Sequence, residues 1–157
     1  MKVQQYLDKI KTLSIKNSRT NFDYVDLGNH VKNVFSENES LYFNVSALFP
    51  ELLDHFQESL IKSIIVDSEI IKQIADHLGL LFINERIDGN VCFADNIELR
   101  PEFRQSFTSI DVLDYCVAIS YFNVEALKTN STTIPITSDV SVFWQLVNFG
   151  RMFRKTY

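Results

Sequence analysis

The chain has 157 residues, 46% of them apolar, with 13 Phe, 6 Tyr and a formal charge of −5. That apolar content excludes global disorder, and the length suits one domain with a sizeable core. The acidic balance disfavours tight, nonspecific binding of nucleic acid over the whole surface.

The charge is unevenly spread. Residues 1–35 carry six Lys/Arg against Asp8, Asp23 and Asp26, a net +3. Residues 36–125 carry five against sixteen Asp/Glu, a net −11, and residues 126–157 return to +3 through Lys128, Arg151, Arg154 and Lys155 against Asp139. The two ends are therefore the places where a basic surface can form. No secretory leader is visible, and no run of about 18 apolar residues occurs, so a cytoplasmic protein with no membrane span is expected.

In chain order, Val3, Tyr6, Leu7, Ile10 and Leu13 recur at helical spacing and predict a first amphipathic helix. Tyr24, Val25, Leu27, Val31 and Phe35 suggest a second, and the polar Ser36–Ser40 run is the best linker. The division expected is an N-terminal helical segment, 1–36, and a helical domain, 41–157. Leu41 to Phe49 reads as a short strand entering a turn at Pro50, and helix is favoured again from Glu51. Ser68 to Leu78 is the clearest helix: Asp67 or Ser68 caps its start, Ile70, Ile71, Ile74 and Leu78 share a face, and Gly79 ends it. Leu80–Arg86 and Val91–Ala94 around Asp88-Gly89-Asn90 predict a β-hairpin near residues 80–94. A long helix from Ser109 follows, with Val112, Leu113, Cys116, Val117 and Ser120 on one face. The last helix is expected from a Ser138 N-cap, with Val142, Phe143, Leu146, Val147, Gly150 and Phe153 facing inward. The fold class is thus α+β, mainly α-helical, with the last two helices packed antiparallel.

Residues that carry chemistry are sparse. The four Gly are scattered and form no phosphate-binding loop. His30, His55 and His77 stand far apart, none at zinc spacing from a Cys or another His. Asp67, Glu69 and Lys72 are better read as a cap and an i,i+3 pair than as a nuclease cluster. Cys92 and Cys116 sit among apolar neighbours, as buried thiols do. Neither a metal nor a cofactor is expected, and no enzymatic activity.

Asp111-Val112-Leu113-Asp114-Tyr115-Cys116-Val117-Ala118, then Ile134-Pro135-Ile136, then Phe143-Trp144-Gln145-Leu146-Val147 with Gly150, Arg151 and Arg154, form a distinctive series. It resembles the C-terminal specificity (target-recognition) region of type ISP and type IIG-like restriction–modification enzymes. Ile74-Ala75-Asp76-His77-Leu78-Gly79-Leu80 is similar to the helix and turn ahead of that block. Tyr6-Leu7-Asp8-Lys9-Ile10, followed by Ser18 and Thr20, looks like the opening segment of the same enzymes. The Asn-Pro-Pro methyltransferase signature and the Gly-rich cofactor motif of such enzymes are absent. The resemblance therefore implies a non-catalytic DNA-recognition or scaffold module, with duplex DNA as its partner. The residues expected to contact DNA are Lys128, Asn130, Arg151, Arg154 and Lys155. Basic residues in a last helical turn equally suit the helix dipole. The acidic middle supports an alternative, a protein-interaction or regulatory subunit that docks onto a larger methyltransferase or nuclease.

Overall fold

The computed structural model describes residues 2–17, 25–36, 41–50, 64–83, 105–122 and 133–156. Their architecture is mainly α-helical with two small two-stranded sheets.

Helix α1 (Val3–Asn17) buries Val3, Leu7 and Ile10, the stripe set by its 3.6-residue period, and exposes Lys2, Gln5, Asp8, Lys9 and Thr12. Helix α2 (Val25–Ser36) buries Val31 and Val34 in the same core. The described helices of residues 1–36 therefore share one core with those that follow.

Strand β1 (Leu41–Asn44) ends where Asn44 turns its side chain to cap the one-turn helix α3 (Val45–Leu48), accepting the Ala47 N–H at 3.0 Å. The segment expected from Glu51 lies outside the described residues up to Ile64. Helix α4 (Ser68–Leu78) has the expected limits. Asp67 Oδ1 accepts the N–H groups of Glu69 and Ile70 at 3.0 Å, and Gly79 closes the helix at φ 67°. Ile71, Ile74 and Leu78 are buried, and Ile70 is half-buried.

Strand β2 (Leu81–Phe82) is the first arm of the expected hairpin, but its partner in the described chain is different. It pairs in parallel with β3 (Ser106–Phe107). Leu81 N–H donates to Gln105 O and Ile83 N–H to Phe107 O, each at 2.9 Å. The expected turn and second arm lie outside the described residues. The antiparallel sheet is instead made by β1 and β4 (Thr133–Ile136), with Phe43 opposite Ile134 and Leu41 opposite Ile136.

Helix α5 (Ser109–Phe122) is the centre of the molecule. Every residue from Asp111 to Tyr121 is buried, not just the face its period suggests. α1, α2 and α6 all pack on it, which leaves no side for solvent. Helix α6 (Val140–Thr156) begins one residue later than expected. Asp139, not Ser138, is its cap: Oδ1 accepts Ser141 N–H at 2.9 Å and Val142 N–H at 3.3 Å. Its inner face is Val142, Phe143, Leu146, Val147, Phe149, Gly150 and Phe153, with Trp144 also buried.

α5 and α6 do not pack in the antiparallel register expected. Tyr115 meets Phe143 at 5.3 Å between ring centroids, while Tyr121 meets Phe149 at 5.0 Å and Phe153 at 5.1 Å. These pairs advance together along both helices, and so do Asp111 with Arg151 and Asp114 with Arg154, but at a different offset between the helices. No single register contains all of them, so the two helices cross. At Gly150 α6 comes close over the backbone of Asp114. Among the described residues, no helix is long and apolar enough to cross a membrane.

Candidate functional site

Asp111 and Asp114 are three residues apart on α5, and Arg151 and Arg154 are three apart on α6. Side chains at that spacing share a helix face. At the crossing the two faces meet and form a charged cluster inside the molecule. Arg151 Nη2 donates to Asp111 Oδ1 at 2.9 Å. Arg154 grips Asp114 through two bonds, Nε to Oδ1 at 2.7 Å and Nη2 to Oδ2 at 3.2 Å. Arg151 Nε stands 3.9 Å from Asp114 Oδ2 and links the two pairs. The Asp114 side chain is 0% exposed and that of Arg154 9%, so these pairs are withdrawn from water.

Asp111 has a second task. Its Oδ2 accepts the Thr108 N–H at 2.9 Å, and Thr108 Oγ1 accepts the Asp111 N–H at 3.3 Å. This reciprocal capping box closes the N-terminus of α5. One carboxylate thus caps α5 with one oxygen and anchors α6 with the other.

Burial pushes the Asp114 carboxyl above the usual carboxylate range, and the guanidinium of Arg154 opposes that shift, with a further opposing contribution from Arg151. The Tyr6 phenol on α1 belongs to the same environment. Burial raises it to about 12, the Arg154 cation lowers it and the Asp114 anion raises it. α1, α5 and α6 therefore converge on one buried ionic cluster.

Tyr115 ties the small sheet to this centre. Its hydroxyl donates to Pro135 O at 2.7 Å and accepts the Thr137 N–H at 3.2 Å. Those two groups lie on the edge of β4 that faces away from β1, because alternate residues of a strand direct their polar groups to opposite sides. Pro135 has no N–H to leave unpaired there. A tyrosine hydroxyl therefore takes the two bonds that a third strand would have made. Beside it, burial drives the Cys116 thiol far up, which keeps it protonated and chemically inert.

Of the residues expected to contact DNA, Arg151 and Arg154 turn inward onto Asp111 and Asp114. Lys155 is exposed in the last turn of α6. Lys128 and Asn130 lie outside the described residues. Trp144 is buried, 1% exposed, in the core. The sequence reading missed Asp111 and Asp114 as the arginines' partners and Tyr6 as their neighbour. The equal three-residue spacing of the two aspartates and the two arginines was the available signal.

Among the described residues, no group of three or more His, Cys, Asp or Glu could hold a metal ion. The cluster's carboxylates are bound by cations and its thiol is inert, so its evident capacity is to fix the angle between helices. No protein-family model, curated protein or solved structure matches the chain.

Proposed function

We propose that this chain is a non-catalytic DNA-recognition or scaffold module related to the specificity regions of restriction–modification enzymes. One observation carries the reading: the residues through which the chain resembles those regions are bonded to one another. Asp111 holds Arg151, Asp114 holds Arg154, Tyr115 holds the Ile134-Pro135-Ile136 strand, and Gly150 lets α6 approach Asp114. A pattern whose members interlock is one packing arrangement, and it is unlike a chance run of apolar helices.

Phosphate contact then passes to Lys155 and to the Lys128–Asn130 segment, because the two arginines are engaged within the fold. Phosphate contacts position a protein without reading sequence. With two of four candidate cations withheld, the slope of log affinity against log salt is about −1.8, where all four would give about −3.6. A mobility-shift series on duplex DNA across salt concentrations measures it. Failure to retard any duplex at low salt overturns the DNA reading. The net −11 of residues 36–125 favours a second reading, a regulatory subunit docked on a larger DNA-modifying enzyme. Co-purification with such an enzyme from the native host, in the absence of DNA binding, would select it.

A further inference from the structure

We draw no further inference here: the strongest candidate, the apolar surface that Leu81 presents on the β2–β3 pair at 71% exposure, carries nothing because nothing among the described residues shows what covers it.

Discussion

A Cβ built on Gly150 would stand 1.8 Å from the backbone carbonyl oxygen of Asp114. The neighbour is backbone in the middle of a buried helix, so it cannot swing aside as a flexible side chain could. Gly150→Ala should therefore destabilise the protein, although Ala favours helix by about 1 kcal/mol over Gly. Overpacking of this kind costs about 1–3 kcal/mol or more, and the contact here lies at the severe end. Urea melts of the variant should show a lower midpoint; an unchanged or higher one would mean that α5 and α6 do not approach at this point.

The Asp114–Arg154 pair is expected to be costly to break singly and cheap to replace whole. Asp114→Asn or Arg154→Met alone leaves a buried charge without its partner, at a cost of about 3–5 kcal/mol. Replacing both with apolar residues of similar volume removes that penalty, so the double variant should recover most of the loss. A double-mutant cycle in urea tests this. Simple additivity of the two single effects would show that the pair is not energetically coupled.

Legibility in the sequence followed the range of the forces involved. α4 was readable to the residue because Asp67 and Gly79 act on the backbone within a turn of themselves. The start of α6 was off by one because Ser138 and Asp139 are adjacent capping residues, and the carboxylate makes the bonds. The burial of α5 on all sides depends on three helices brought from elsewhere in the chain, which a period along α5 alone does not register. The crossing of α5 and α6 escaped for the same reason: it is set by Gly150 meeting a carbonyl 36 positions earlier. β2 shows the limit most plainly. A local Asp-Gly signal suggested a hairpin, while its described partner is the parallel β3, supplied by residues further along. Arg151 and Arg154 were read as surface cations because their partners lie on another helix.

Tyr115→Phe isolates one hydroxyl. Its removal leaves the Pro135 carbonyl and the Thr137 N–H on a buried strand edge with no replacement from β1, which lies on the other side. Unpaired buried polar groups cost about 1–3 kcal/mol each. The ring itself still fills its space against Phe143, so the loss should be confined to hydrogen bonding. Thermal melting should report it, and faster amide exchange at Thr137 should localise it. Wild-type protection at Thr137 in the variant would mean that the hydroxyl does not close that edge.

Tyr6 makes a prediction at alkaline pH. Its phenol is raised from 10.0 to about 12, chiefly by burial, so the folded chain retains that proton where the unfolded chain has lost it. Below pH 10 both states are protonated and the group introduces no pH dependence. Between 10 and about 12 the unfolded state binds fewer protons, so stability must fall as pH rises. Above about 12 the folded phenol ionises as well, and the stabilising contribution is gone. Because Tyr6 lies beside Arg154 and Asp114, the charge would form where α1 meets the buried cluster. Tyr6→Phe removes this proton and should flatten that part of the stability profile from pH 10 to 12, measured by urea midpoints. Equal slopes for wild type and variant would place the Tyr6 phenol in water and detach α1 from the cluster.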